Sequence, residues 1–334
     1  MTEKQGALNG KAARGLSVAA AGLLAACANV GADQATAADQ GKSPDRVVKQ
    51  DSGKVVYWVP PGPRKLSPEV FGTADDPKMT LAPKLKKARQ MVEAGKMPPT
   101  VPQLLQDLPI LVGVPEKARS QAPDGGQILK HPTPFPDEGQ IVQGNFRAAF
   151  YDEVSEDPPG KPGQTPDSAN LEAEFTDPQG NDYRVVLDHV VKPPFPGYET
   201  DGGVMLDAVH HGATGTGTPL MPQVWTIGAL WGVGEVYVNG EMESKRQVMH
   251  LMTSEVVRDK EYDLALQEDM PLKPSEWHVK GQPHHTHLIV LPIQGTKKGP
   301  VFSPVPTAFE LPNGKNQPFM HIMFEQDTLV RQTS

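Results

Sequence analysis

A pair of strand-like segments between residues 171 and 189 constrains the fold of this chain more than any other feature. Residues 171–175 alternate apolar and charged side chains, and residues 183–189 return after a turn at 177–181 that contains Asp, Pro, Gly and Asn. Alternation predicts a strand with one buried face, and two such strands joined by a short turn predict an antiparallel hairpin. Glu172 and Glu174 fall on the solvent face, so we interpret them as solvated rather than catalytic.

The same strand signature recurs along the chain. A second hairpin is predicted at Asn239-Gly240, where both residues tolerate positive φ, between residues 236–238 and the strand that leads to His250. The composition includes 35 prolines and 32 glycines but only 6% aromatics, which favours short strands and turns over a helix bundle. Further strands are expected at 55–59, 140–142, 146–150, 264–266, 287–291 and 319–324. We therefore predict a mainly β protein with an antiparallel β-sandwich-like domain over residues 137–334.

The first half of the chain is expected to be organised differently. Residues 55–136 are rich in proline and predict an arm with one or two short helices, the best of them at 82–95. Residues 27–54 contain almost nothing to bury and predict a flexible tether. The loop at 212–219 is rich in Gly and Thr but lacks the Gly-Lys-Ser/Thr ending of a phosphate-binding loop, so we interpret it as a connection.

The N-terminus predicts export from the cytoplasm. Basic residues precede an apolar run at 16–26 that is too short to span a membrane, as in a secretory signal peptide over residues 1–26. The sequence Leu24-Ala25-Ala26-Cys27 is similar to the lipobox of bacterial lipoproteins. That resemblance implies cleavage before Cys27, lipidation of its sulfur, and attachment to the cell envelope, with the outer membrane favoured because Ala28 follows. A plain secretory signal with a chance cysteine is the alternative.

Charge and cysteine content exclude several functions. The formal net charge of -8 and the absence of a basic block argue against nucleic-acid binding. Cys27 is the only cysteine, so an exported chain of this kind has no intramolecular disulfide and no thiolate for a metal. Any metal must therefore be held by His, Met, Asp, Glu or backbone groups, which excludes blue-copper, structural-zinc and iron–sulfur sites.

Histidine and methionine recur in a pattern that predicts metal binding. The sequence Met-His-Leu-Met at 249–252 recurs as Met-His-Ile-Met at 320–323, and a histidine-dense segment at 284–287 lies between them. Residues two apart share one face of a strand, so each motif offers a pair of ligands. Imidazole with thioether and no thiolate favours copper. The candidate ligands are His250, Met252, His285, His287, His321, Met323, His210 and His211.

Three alternatives remain open from the sequence. The Met-His motifs are also what ordinary core strands would show, because methionine fills irregular gaps in a core and histidine can be held neutral there. The protein could instead be an accessory lipoprotein that docks on a membrane complex through its arm. A third interpretation is an oxidase or hydrolase with a metal at His189, His210 and His211. Asp188 precedes His189, but adjacent strand residues point to opposite faces, so we do not expect them to touch.

Overall fold

The computed structural model describes residues 42–66, 68, 73–76, 119–123, 126–129, 136–154, 165–192, 203–211, 224–260, 283–296 and 299–330. The lipobox, the predicted helix at 82–95, the predicted strand at 264–266 and the loop at 212–219 lie outside these residues. Within the described ranges, no helix is long and apolar enough to cross a membrane.

Sixteen strands form the described regular structure. They are β1 (Arg46–Gln50), β2 (Val56–Trp58), β3 (Lys65–Leu66), β4 (Arg119–Gln121), β5 (Gln127–Leu129), β6 (Gln140–Val142), β7 (Gly144–Tyr151), β8 (Ser168–Thr176), β9 (Asp182–Val190), β10 (Val204–His210), β11 (Val224–Val238), β12 (Glu241–Glu255), β13 (His284–Thr296), β14 (Gly299–Phe302), β15 (Met320–Phe324) and β16 (Thr328–Val330). The prediction of a mainly β, antiparallel protein is therefore confirmed.

Thirteen of these strands belong to one curled sheet. Their order is β16-β1-β7-β8-β9-β11-β12-β13-β15-β2-β6, with β10 added to β11 and β14 to β13. Strands β16 and β1 stand at one end of this order, and β15 and β2 stand near the other end. Because β1 is followed by β2 in the sequence, and β15 by β16, strands from the same two segments of the chain lie at both ends of the sheet. The expected sandwich of two facing sheets is thus replaced by one sheet that curls around its own apolar interior.

Two segments differ from the expected division of the chain. Strand β1, Arg46–Gln50, lies in the stretch that we interpreted as a tether, yet it pairs with β7 and β16 in the main sheet. Strand β2 lies in the expected arm, yet it pairs with β15 and β6. The described remainder of that arm contributes a small separate sheet, β3-β5-β4. Both corrections arise because short apolar runs supply strand partners at long sequence separation.

Both predicted hairpins are confirmed. Strands β8 and β9 pair from Glu172 with Val186 to Thr176 with Asp182. Strands β11 and β12 meet at Asn239 and Gly240, whose φ values of 49° and 87° lie in the left-handed region that this tight turn requires. Strand β12 extends from this turn past His250 and lies in the middle of the sheet, between β11 and β13.

The interior of the curl is an apolar core that includes aromatic clusters. Trp58 packs against Tyr183, Phe309 and Phe175 with ring centroids 5.3, 5.5 and 6.3 Å apart. Leu251, Leu288 and Ile322, on the neighbouring strands β12, β13 and β15, are fully buried in the same core. Because side chains alternate across a strand, the residues next to them point to the other face of the sheet.

Candidate functional site

The histidine and methionine motifs lie on that other face. His250 pairs with Ile289, and Ile289 pairs with His321, across β12, β13 and β15. Two residues further along these strands, Met252 pairs with His287, and His287 pairs with Met323. We call this surface the histidine face and define it by His250, Met252, His285, His287, His321 and Met323. Each of these side chains is at most 4% exposed, so the face is covered rather than open to solvent.

His210 and His211, at the end of β10, join this face. Consecutive residues of a regular strand would point in opposite directions, but His211 has a φ of 63°, in the left-handed region. As a result the two imidazoles stack, with centroids 4.1 Å apart and planes 6° from parallel. Each ring also lies edge-on to His250, with centroids 6.1 Å away. We call His210, His211 and His250 the first histidine group.

His250 is oriented by its surroundings. Its Nδ1 lies 2.8 Å from the carbonyl oxygen of Leu230, and because a carbonyl can only accept, Nδ1 carries the proton and donates. The indole of Trp231 stacks on the same ring at 4.3 Å. The other nitrogen, Nε2, is buried and has no hydrogen-bond partner in the part of the chain that the structure describes. The neutral ring therefore presents a lone pair at Nε2.

Burial keeps the first histidine group neutral. Desolvation lowers the pKa of His250 to about 4, against a smaller opposing effect of the hydrogen bond to Leu230. Desolvation, with the charge of His250 as a second cause, lowers the pKa of His211 to about 3. The pKa of His210 is lowered well below its usual value, again mainly by burial. Neutral imidazole is the form that binds metal ions.

The remaining three histidines form a second group linked by hydrogen bonds. Nε2 of His287 lies 3.0 Å from Nε2 of His285, and Nδ1 of His287 lies 3.2 Å from Nε2 of His321. This series of hydrogen bonds ends at Glu325, whose Oε2 lies 3.3 Å from Nδ1 of His285. Burial lowers the pKa of His287 well below its usual value, with the neighbouring histidines and Arg258 as further causes. The charge of His211 is the smallest of these causes.

The two methionines are placed differently from the expected ligand role. Met252 packs in an apolar cluster with Met205, Ala229 and Val257. The sulfur of Met323 lies 3.1 Å from Nε of Arg258, which donates to it, and the same buried guanidinium donates to the carbonyl of Pro136. A sulfur that accepts a hydrogen bond from a cation is a poor partner for a second cation, so the candidate ligands with suitable surroundings are the imidazoles.

His189 does not belong to the histidine groups. Its Nδ1 lies 3.0 Å from Oδ2 of Asp188, so the expectation that these neighbours would not touch is wrong. The pairing of β9 with β11 is irregular here, because Val233 pairs with His189 but Gly234 pairs with Leu187, and strict alternation does not hold at such a bulge. His284 also points away, because its Nδ1 lies 2.7 Å from Oδ1 of the buried Asp327 on the core side of β13.

Glu325 is a site residue that the sequence reasoning did not single out. It lies two residues after Met323, so alternation alone would have placed it on the histidine face. Its side chain is 1% exposed, and its Oε1 has no hydrogen-bond partner within the described ranges. A buried carboxylate beside buried imidazoles is therefore a feature of this face that a search for His and Met motifs alone does not find.

The described residues do not contain a group of three or more His, Cys, Asp or Glu side chains already arranged to hold a metal ion. Imidazoles bound to one ion at about 2.0–2.1 Å have ring centroids on the order of 5 Å apart, whereas the first histidine group has separations of 4.1 and 6.1 Å. A metal ion lies near the plane of each imidazole that binds it, and the planes of His210 and His211 are only 6° from parallel. At least one of these two rings must therefore turn before both can bind one ion. Comparisons with family models, curated proteins and solved structures found no match for this chain.

Proposed function

We propose that this protein is an exported, lipid-anchored protein of the bacterial cell envelope that binds a transition-metal ion through the first histidine group. The export and lipid attachment rest on the lipobox-like sequence ending at Cys27. The single observation that supports metal binding is the buried, unpartnered Nε2 of His250, whose ring is oriented by the hydrogen bond of Nδ1 to Leu230 and has its centroid 6.1 Å from those of His210 and His211.

The energetics support a bound cation at this position. Leaving a buried polar nitrogen without a partner costs about 1–3 kcal/mol, so such atoms are uncommon unless they have a role. An ion that accepts the lone pair removes this cost. The bond from Nδ1 to a backbone carbonyl is also the arrangement that metal-binding histidines commonly show, because it fixes the ring and raises its basicity. Packing of Trp231 on the ring would hold it in place with or without the ion.

Copper is the first candidate for the ion. Imidazole is a good ligand for copper, zinc, nickel and iron, and among divalent ions of the first row copper binds most tightly to a given set of nitrogen ligands. No thiolate is available to the exported chain, which removes the softest ligand. Three protein ligands would leave a coordination position open for water or for a ligand from another molecule. An open position suits storage or delivery of the ion, which is the role that we propose.

The test is copper binding by the full-length protein in detergent. The wild type and a His189→Gln control, which changes a histidine outside both groups, should each retain copper after desalting. A His250→Gln variant should no longer retain copper at the first histidine group after desalting, because glutamine keeps the volume but supplies no imidazole nitrogen. Equal copper retention by the wild type and the His250→Gln variant, site by site in a titration, would refute the proposal.

A further inference from the structure

We propose that the histidine face contains a second, separate metal site, formed by His285 and His287 and supported by Glu325. This inference rests on the proposed function only in assuming that the face meets metal ions, since none of its ligands is shared with the first histidine group. The protein would then take up two ions rather than one.

The facing nitrogens of His285 and His287 carry the inference. Their Nε2 atoms are 3.0 Å apart, and the rings are 89° from parallel with centroids 4.5 Å apart. In the tetragonal geometry of Cu²⁺, two neighbouring nitrogens bound at about 2.0–2.1 Å and at roughly a right angle are separated by about 3 Å. The two nitrogens therefore already lie at the spacing of two ligands of one ion.

Glu325 supplies an independent second observation. Its Oε2 accepts a hydrogen bond from Nδ1 of His285, which leaves the lone pair of that histidine at Nε2. A carboxylate behind a histidine is a common support for a metal ligand, because it orients the ring and makes it more basic. The other oxygen, Oε1, is buried and has no hydrogen-bond partner among the described residues. A nearby cation would compensate this buried negative charge.

The histidines of the second group can change tautomer without losing a proton, which leaves Nε2 of His287 free to bind an ion. In the metal-free protein, Nε2 of His287 donates to Nε2 of His285, so Nδ1 of His287 accepts from Nε2 of His321. For His287 to bind through Nε2, its proton moves to Nδ1, and the proton of His321 moves to its own Nδ1. All three rings remain neutral, and His321 then accepts from His287. His321 is thus a positioning residue that sets the tautomer of His287.

Two neighbouring groups oppose the second ion and make its site weaker than the first. The backbone N–H of Val257 points at Nε2 of His285 from 3.3 Å and competes for its lone pair. The guanidinium of Arg258 lies near enough to lower the pKa of His287, and its positive charge repels a cation. We expect copper to bind in two steps, with the second step at least tenfold weaker than the first.

The experiment is a titration of the metal-free, full-length protein with Cu²⁺, followed by elemental analysis after desalting. The variants are His250→Gln, His287→Gln and the control His189→Gln. We expect two equivalents in the wild type and the control, one in each of the other variants, and loss of the weaker step in His287→Gln. The ion that remains in His287→Gln also shows that this variant is folded.

The outcomes separate this inference from the proposed function. One equivalent in the wild type, lost in His250→Gln and retained in His287→Gln, would overturn the second site and leave the first. One equivalent lost in His287→Gln and retained in His250→Gln would overturn the first and support the second. Loss of all copper in both variants would mean shared ligands and would overturn the inference. No binding in the wild type would overturn both.

Discussion

Acidification should destabilise the metal-free protein more steeply than its surface charges would. Burial lowers the pKa of His250 to about 4 and that of His211 to about 3, whereas an unfolded histidine titrates near 6.5. Below pH 6.5 these two histidines therefore bind protons in the unfolded chain but not in the folded protein. This part of the stability is fully present above pH 6.5 and is lost as the pH falls toward the folded-state values.

The size of the effect follows from the same shifts. A pH of 5 is about 1.5 units below the unfolded pKa of these two histidines, which are still mostly neutral in the folded protein. At this pH each of them therefore lowers the free energy of unfolding by about 2 kcal/mol. His210 and His287 shift in the same direction and add to the loss. Asp167 opposes it, because burial raises its pKa to about 6, which contributes about 1 kcal/mol of added stability at pH 5. Burial also raises the pKa values of Asp152 and Glu255, which oppose the loss in the same way. The net loss between pH 7 and pH 5 is on the order of 3 kcal/mol.

Urea unfolding at pH 7, 6 and 5 in the presence of a chelator measures this loss. Tryptophan fluorescence reports on the transition, since Trp58 lies in the core and Trp231 stacks on His250. A His250→Gln variant should lose about 2 kcal/mol of the difference between pH 7 and pH 5, whereas the matched variant His189→Gln should keep it. A free energy of unfolding that is the same at pH 7 and pH 5 would refute the account of buried, neutral imidazoles.

Three further predictions concern the anchor and the fold. A Cys27→Ala variant should move from the membrane fraction to the soluble fraction of cells, and a wild type already in the soluble fraction would contradict lipid attachment. A Gly234→Ala variant should lower the free energy of unfolding by about 3 kcal/mol or more, measured in urea, because the added Cβ would overlap the carbonyl oxygen of Val186; an unchanged midpoint would contradict this close approach. A Tyr183→Phe variant should cost about 1–3 kcal/mol, since Tyr183 donates to Asp177 at 2.7 Å in the core, and a thermal midpoint equal to that of the wild type would contradict it.

The strands could be predicted because their signals are local. The hairpin of β8 and β9 follows from alternation and a turn sequence, and the hairpin at Asn239 and Gly240 follows from residues that tolerate positive φ. The curl of the sheet could not be predicted in this way. It depends on β1 and β2 pairing with β16 and β15 across more than two hundred residues of sequence, and no local pattern carries that information.

The candidate site was only partly accessible for the same reason. The period of two correctly places His250 with Met252, and His285 with His287, on one face. The approach of His210 and His211 to His250 depends on the pairing of β10 with β11 and on the left-handed φ of His211.

The environment of Met323 could not be predicted from the sequence either. Its sulfur accepts a hydrogen bond from Arg258, 65 residues earlier in the chain. Local patterns therefore identify which side chains share a face, whereas the partners that decide their chemistry come from tertiary contacts.

The most direct test of the central claim is anomalous X-ray diffraction from crystals of the copper-loaded protein, recorded on both sides of the copper absorption edge. The account predicts a copper peak about 2.0–2.1 Å from Nε2 of His250, with His210 and His211 turned toward it and Nδ1 of His250 still bonded to Leu230. A fully loaded crystal with no copper peak near His250, or with copper only at surface side chains, would contradict it.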